Sequence, residues 1–471
     1  MSIRDDFILK DIHEGYLVGG SVRDFFLGKE FKDRDIAIKN AELFAKNLAN
    51  NLNATFIVLD NENKIYRLVL RDKENYIDIS ELRADTIEND LRLRDFTINA
   101  IAYDLKNDNF IDITGGIVDI KNRKIRSIRE ENFSDDPLRI LRAFRFMSTL
   151  DFNFDDELYN TLTKYLPLIN KPAKERIHDE ILKLFGGRKT AKTLIEMYKI
   201  GVLTLLFPFV KEMEIIPPNS HHHLDLIHHV IETVRQIELL YEQANSDIYE
   251  HLSKIDFGGY PRINHLKLAG FFHDIGKYST WTIEDGNNCI WEVKEGTNYP
   301  KGNFRHRFIK HDSIGAKLAI NYLKELKFSN KQIDYISEMI KQHIYPSNVV
   351  SSPNLDNKIM MRYIRKMGDN VIDNIILAKA DRLSAQGPDI TAEMTANNLK
   401  GLDKLINFYI EIKPTLEPIP KLIDGVEIMN LLNIKQSPLL GQIITELHEA
   451  QLNGDVLSKE EALKFLKKYI N

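Results

Sequence analysis

Short apolar runs separated by polar turn residues fill the first part of the chain, and long stretches of helical periodicity fill the rest. Tyr16-Leu17-Val18 reads as a strand, broken by Gly19-Gly20-Ser21, after which Val22 to Leu27 starts a helix. Ile36-Ala37-Ile38 is another strand. Residues 54–60 (ATFIVLD) and 65–70 (IYRLVL) read as strands around the turn Asn61-Glu62-Asn63, and Tyr76-Ile77-Asp78-Ile79 alternates as a further one. Residues 155–200 read as entirely helical, and Pro217-Pro218-Asn219 marks a boundary. Trp281 to Phe304 is polar and glycine-containing, which predicts a loop or hairpin. Pro414 to Pro420 (PTLEPIP) is a linker to a last helical stretch with breaks at Gly425, Ser437-Pro438 and Gly454.

Chemistry sits at the seams of this pattern. A double glycine between strand and helix lets backbone N–H groups approach a phosphate, with the positive helix N-terminus behind them. Asp33 and Asp35 lead into the strand Ile36-Ala37-Ile38, and residues two apart on a strand face the same way. Paired carboxylates are costly without a cation, and Mg²⁺ takes such oxygen ligands with phosphates completing its shell. A lone pair of aspartates reads as a solvated turn. The ordered set of glycines, helix and aspartates points instead to metal-assisted nucleotidyl transfer. Asp78 is either a third carboxylate of this site or an exposed strand acid. In Phe133 to Phe146 (FSDDPLRILRAFRF), Pro137 suits a first helical turn that Ser134 or Asp135 caps. Asp136 and Arg139 then share a helix face, as a salt bridge or as a hydrogen-bonding pair for a base edge.

The stretch Tyr16 to Ile38 resembles the signature of the class II tRNA nucleotidyltransferase and poly(A) polymerase family, within the DNA polymerase beta-like superfamily: GG-x-VRD-x-x-LG, a spacer, then D-x-D. The resemblance implies nucleotide contacts from Gly19, Gly20, Ser21 and Arg23, and catalysis by Asp33, Asp35 and a third strand acid, Asp78. Residues 90–100 (DLRLRDFTINA) are similar to the family's RRDFTINA block, with Leu93 in place of its first arginine. This implies that Arg94, Asp95 and Asn99 help hold the nucleotide, Arg94 and Asp95 as a bidentate pair or on ribose and triphosphate. Asp136 and Arg139 fall in the place of its EDxxR template, Asp135 standing where glutamate is usual, and Arg142 and Arg145 extend the basic face toward triphosphate or tRNA backbone. Gly115 to Asp119 with Lys124-Ile125-Arg126, and the Glu175 to Glu180 block, match segments expected to be structural.

In the second half, His229, His273-Asp274 and Asp381 follow the order of the HD superfamily, whose ligands are H…HD…D. His311 and His343 occupy positions that bind a second metal in some HD proteins. The resemblance implies a phosphohydrolase centre, and mixed nitrogen and oxygen ligands suit Mn²⁺, Ni²⁺, Co²⁺ or Fe. His221, His222, His223 and His228 flank this set, with His222 a candidate to hold substrate phosphate. The tail resembles a small module that grips the tRNA elbow, where Gly425 and Gly441 either approach phosphate or serve in caps and packing.

Composition narrows the picture further. A length of 471 residues calls for several compact units. Hydrophobic content of 43% with 28% charged residues is that of a soluble globular protein. The net charge of −5 leaves RNA contact to local basic patches such as Lys121 to Arg126. Cys289 is the single cysteine, which excludes an intrachain disulfide and points to a reducing, cytoplasmic location. No signal peptide or membrane-length apolar run is evident.

The expected architecture is α+β: a nucleotidyltransferase head on a small mixed sheet (1–130), then an all-helical neck with the template (131–215), an HD-type body (216–395) and a tRNA-binding tail (396–471). The expected activity is addition of CMP and AMP from CTP and ATP to the tRNA 3′ end with Mg²⁺. A CC-only, A-only or poly(A) polymerase, and an enzyme that is mainly an HD phosphohydrolase, are the alternatives. The connection Arg83 to Asn89 is where a flexible loop could switch specificity.

Overall fold

The computed structural model describes residues 2–30, 33–285, 289–293, 304–353, 355–416, 421–452 and 455–469. The chain divides into two compact units, residues 1–208 and 209–471. No helix among the described residues is long and apolar enough to cross a membrane.

The first unit is built on a seven-stranded mixed sheet in the order β3-β4-β5-β2-β1-β6-β7. Its strands are β1 (Tyr16–Val18), β2 (Asp35–Ile38), β3 (Thr55–Asp60), β4 (Ile65–Val69), β5 (Tyr76–Glu81), β6 (Ala102–Asp104) and β7 (Asn109–Ile111). The expected hairpin of β3 and β4 is present, and β4 continues antiparallel into β5. Only β2 and β5 run parallel, in a register that sets Asp35 beside Asp78. Alternation buries Leu17, Ile36, Leu68, Ile77 and Ile79. The helix Ala41–Leu52 packs against β2 to β5, and further along the chain come helices Arg139–Leu150, Asp156–Tyr165, Lys174–Phe185 and Thr190–Ile200, joined by short turns, with a small parallel pair of β8 (Lys124–Ile125) and β9 (Asn153–Phe154). The stretch 155–200 is thus helical between its turns.

In the second unit, the Arg262–Phe272 helix is buried along its whole length, which makes it the core element of the body. Helices Leu226–Glu242, Ser246–Ser253, Asn330–Gln342 and Val371–Ser384 pack against it, and His311–Glu325 packs on Asn330–Gln342. The segment read as a loop or hairpin does form one, β10 (Trp281–Glu284) with β11 (Ile290–Glu292), although residues 286–288 and 294–303 lie outside the described residues. A strand not expected from the sequence, β12 (Arg305–Phe308), pairs with the other edge of β10. The last helices, Gly425–Leu432, Pro438–Leu452 and Lys459–Leu466, pack on a small core that includes Ile428, Ile443, Leu447 and Leu466. Asp424 caps the first of them, which starts at Gly425, and Gly441 lies within the second with open space where a side chain would be. Residues 417–420 of the expected linker and the break expected at Gly454 lie outside the described residues.

Candidate active sites

In the first unit the strand-to-helix turn has the expected form. Gly19 adopts φ +73°, a conformation open to glycine, and the helix Gly20–Phe26 starts directly after it. A side chain at Gly19 would lie 3.5 Å from the Asp35 carboxylate and 3.7 Å from the Arg94 guanidinium, so this bare backbone faces the carboxylates. Ser21 Oγ donates to the Asp33 carbonyl at 2.6 Å and ties the helix start to the aspartate segment. β2 begins at Asp35, so Asp33 precedes the strand rather than lying in it. The pleat nonetheless extends back, because Asp78 N–H donates to the Arg34 carbonyl at 2.9 Å. Arg34 points to the other side, where it pairs with Asp6 at 2.6 Å.

Asp35 carries the electrostatic signature of a cation site. Burial, then Asp78, then Asp33 push its pKa up to about 6. Three carboxylates this close repel one another, and a divalent cation relieves that repulsion. Two neighbours were missed in the sequence. Arg67 grips Asp78 with two 2.7 Å bonds, and the Tyr76 hydroxyl donates to Asp33. Arg67 lies opposite Asp78 in the β4–β5 register, a signal already present in the hairpin pattern.

The block around Arg94 is wired differently from the expected pairing. Arg94 does not pair with Asp95. It bonds Asp90, one helical turn back, at 2.8 Å, while Asp95 accepts from Arg142 Nε at 2.8 Å and from Asn99 at 3.0 Å. Asn99 in turn accepts from Arg23 at 2.8 Å. Burial opposes the Asp95 charge, but Arg142 and these donors hold its carboxyl well below the usual range. Arg142 and Arg145 both reach the buried Glu180, at 3.6 and 2.7 Å, so these arginines are committed internally and the Glu175 to Glu180 block braces them.

Asp136 and Arg139 do not share a helix. Residues Asn132–Asp135 form a short helix of their own, so neither Ser134 nor Asp135 caps the next one, and Asp136 lies beyond it in extended backbone. The helix that follows begins at Arg139, past Pro137. The pair is positioned through other contacts: Asp136 accepts from Arg176 at 2.7 Å, and Arg139 Nη2 donates to the Leu93 carbonyl at 2.9 Å. The position where the usual arginine is absent thus contributes its backbone oxygen. Arg139 Nη1 is buried with no hydrogen-bond partner among the described residues, a donor awaiting an acceptor.

In the second unit, tertiary packing gathers all six expected ligands. His229 Nε2 lies 3.3 Å from Asp274 Oδ2 and 3.2 Å from Asp381 Oδ1. His273 Nε2 lies 3.2 and 3.5 Å from the same two oxygens. On the opposite side, Asp274 Oδ1 is 3.2 Å from His311 Nε2 and 3.8 Å from His343 Nε2. Asp274 therefore faces two ligand sets, one through each oxygen.

The ring nitrogens show that the set fits metal. The Nδ1 atoms of His273, His311 and His343 lie 2.7, 2.7 and 2.6 Å from the carbonyls of Gly270, Phe308 and Ile340. A carbonyl only accepts, so each Nδ1 is protonated and each neutral ring presents a bare Nε2. The Nε2 atoms of His311 and His343 nevertheless face each other at 3.3 Å, and Nε2 of His229 and of His273 are buried without a hydrogen bond. Lone pairs converging on carboxylates need a cation between them. A proton on Nε2 of His273 answers the same demand as a cation: burial works against the charge, yet Asp274 and Asp381 overcome it and push its pKa up to about 10, so the bare Nε2 belongs to the metal-holding form of the ring.

A cavity of about 250 Å³ opens onto these ligands, lined also by His222, Lys277, His306 and Phe308. His222 is not a phosphate donor. Its Nε2 faces Lys277 Nζ at 3.3 Å and its Nδ1 faces the Asn219 side-chain oxygen at 3.3 Å, so neither nitrogen has a proton to spare. Gly387 lets the backbone press against His221 and His222, where a β-carbon would come within 2.4 Å, and its N–H donates to the His221 carbonyl at 2.8 Å.

Fold and sites together define a DNA polymerase beta-like nucleotidyltransferase head joined to a helical body of HD type. Three family models match in order: "Poly A polymerase head domain" over residues 15–126, "Probable RNA and SrmB- binding site of polymerase A" over 151–214, and "HD domain" over 226–386. An A-adding tRNA nucleotidyltransferase of Deinococcus radiodurans is 27% identical over 458 residues, spanning 96% of this chain and 95% of its own. A CC-adding tRNA nucleotidyltransferase of Thermus thermophilus is 26% identical over 468 residues, spanning 98% and 95%. The solved Thermotoga maritima CCA-adding enzyme complexed with tRNA shares the fold, with TM-score 0.53 at 21% identity over 97% of this chain and 91% of that one. The chain belongs to the tRNA nucleotidyltransferase and poly(A) polymerase family, in a form that carries an HD domain.

Proposed function

We propose that this protein adds CMP and AMP from CTP and ATP to the tRNA 3′ end. The observation that carries this reading is the crowding of Asp33, Asp35 and Asp78 beside the bare backbone of Gly19. The RNA 3′-hydroxyl oxygen attacks the α-phosphorus, the bond to the β-phosphate oxygen breaks, and pyrophosphate leaves. Asp33 and Asp35 hold Mg²⁺, which supplies polarisation of the hydroxyl and charge neutralisation on the triphosphate. The Gly19–Gly20 backbone and the start of the following helix receive phosphate. Asp136 accepts and Arg139 donates hydrogen bonds to the base edge, and Asn99 and Arg23 shape the sugar side. The work takes place in the cytoplasm, with residues 1–130 as head, 131–215 as neck, 216–395 as body and 396–471 as tRNA-gripping tail.

The HD cluster hydrolyses a phosphoester, a 2′,3′-cyclic or terminal phosphate on RNA. Its imidazole and carboxylate donors support Mn²⁺, Ni²⁺, Co²⁺ or Fe, which supplies Lewis acidity. Lys277, 2.6 Å from Asp274, offsets phosphate charge at the cavity.

One observation favours a narrower reading with a single nucleotide specificity, CC-adding or A-adding. Only residues 82–86 connect β5 to the helix Ile87–Arg92, and both ends are pinned: Arg83 N–H donates to Asp90 at 2.9 Å, and Thr86 caps the helix. A template that reads cytosine and then adenine must change shape, and so short a tether leaves little slack.

The deciding experiment supplies tRNA lacking its last three nucleotides with CTP, ATP or both. Full CCA addition predicts two added nucleotides with CTP and three with both. A stop after two with both substrates selects the CC-adding reading, one nucleotide added from ATP only to tRNA that already ends in CC selects the A-adding reading, and no extension of either tRNA in any mixture overturns the nucleotidyltransferase assignment.

A further inference from the structure

His306, on β12, lines the cavity over the histidine–aspartate cluster but is not among the converging ligands. Its ring stacks on Trp281 of β10, with centroids 5.6 Å apart and planes 20° off parallel. The Trp281 indole Nε1 lies 3.0 Å from His306 Nδ1. An indole nitrogen can only donate, so Nδ1 is the acceptor and a neutral His306 carries its proton on Nε2. Trp281 is 2% exposed, which keeps water from competing for this bond. Burial lowers the pKa of His306 and keeps the ring neutral.

The neighbouring rings have the opposite polarity. His311 and His343 present bare Nε2 atoms, and His222 spends Nε2 accepting from Lys277. Of the five imidazoles lining the cavity, His222, His311 and His343 offer it no N–H, His221 has its Nδ1 against the Ser220 hydroxyl at 3.0 Å, and His306 is the one whose tautomer an obligate donor fixes with the proton on Nε2. Lys277 is already drawn to Asp274 at 2.6 Å.

We propose that His306 is a neutral hydrogen-bond donor, through Nε2–H, to the phosphoryl group held in this cavity, and that it is not a metal ligand. The proposal rests on the phosphoester reading of the cluster. A protonated Nε2 has no lone pair for a cation, while an anionic phosphoryl oxygen needs donors. A neutral ring supplies one without adding a positive charge beside the metal positions. Trp281 acts through His306 as a positioning residue, fixing the tautomer as a carbonyl does for the ligand histidines.

The test uses the full-length protein. Histidine ¹⁵N NMR in Mg²⁺ buffer reads the tautomer of His306. Equilibrium dialysis of ³²P-orthophosphate in Mn²⁺ buffer is run on wild type, His306→Gln, His306→Asn and His306→Phe, and any phosphate held by the head is common to all four. The glutamine amide reaches the place of Nε2 and the asparagine amide that of Nδ1. The Nε2–H form is therefore expected in the spectrum, with His306→Gln rescuing phosphate affinity and the other two losing about tenfold or more, the worth of one hydrogen bond to a charged group. An Nδ1–H tautomer, phosphate affinity in His306→Phe equal to wild type, or no phosphate binding by wild type overturns the proposal. Hydrolysis is assayed in parallel. Phosphate bound through His306 without hydrolysis of any phosphoester, whichever of Mn²⁺, Ni²⁺, Co²⁺ or Mg²⁺ is supplied, sinks the hydrolytic reading and leaves the donor assignment standing.

Discussion

Replacing Arg139 with alanine tests the base-reading geometry directly. Nη2 is occupied by the Leu93 carbonyl at 2.9 Å, while Nη1 is buried and unpartnered. Loss of the Leu93 bond costs about 1.5–3 kcal/mol of stability, because its donor is the same charged guanidinium. Loss of the Nη1 bond to a correct base costs about 1.5–3 kcal/mol, since the donor is charged, which is roughly 10–150-fold in kcat/KM. A wrong base never makes that bond, so its rate falls far less and selectivity collapses. Arg139→Lys keeps the charge but lacks the two-nitrogen fork, so it serves Leu93 or the base and not both. The assay is kcat/KM for CTP, ATP, UTP and GTP on tRNA lacking its 3′ end, with thermal melting to confirm folding. An equal fall for all four nucleotides would refute base reading and reduce Arg139 to a brace on the Leu93 turn.

Asp33→Ala and Asp35→Ala are expected to abolish labelled CMP and AMP incorporation while tRNA gel shifts persist; wild-type incorporation by either variant removes it from the catalytic set. His273→Ala combined with Asp274→Ala should eliminate bound transition metal by elemental analysis, together with phosphoester hydrolysis, and leave nucleotide addition largely intact, because the two sites share no residue. Asp95→Asn should cost about 1.5–3 kcal/mol at pH 7, as for a hydrogen bond to a charged group, measured by urea denaturation. The Asp95 carboxyl is held below its unfolded value, so its stabilisation is complete above about pH 4 and is lost as pH falls through the folded pKa. The gap between wild type and variant must therefore shrink on acidification, and a gap that widens would contradict the assigned Arg142–Asp95 pair.

Much of both sites is local, and that part was legible in the chain. Strand parity brings Asp33 and Asp35 to one side with Arg34 on the other, because successive residues of extended backbone face opposite ways. The order His229, His273-Asp274, Asp381 nominated a metal centre through its resemblance to the HD superfamily, while packing across residues 229–381 is what brings those ligands together. Long-range pairing was not legible. Arg94 and Asp95 are adjacent and of opposite charge, yet the fold gives Asp95 to Arg142 and Arg94 to Asp90, because burial leaves each charge whichever partner reaches it with good geometry. Asp136 and Arg139 read as helix neighbours three apart, but the short helix Asn132–Asp135 ends before Asp136; local bonds from Arg139 N–H and Leu138 N–H to Asp136 keep the two close, and packing against Arg176 and the Leu93 carbonyl aims their side chains. Which nitrogen of each histidine faces the cavity depends on a carbonyl for His273, His311 and His343 and on an indole for His306. Spacing lists the donors; only tertiary packing brings their partners within hydrogen-bond reach and so decides where each proton sits.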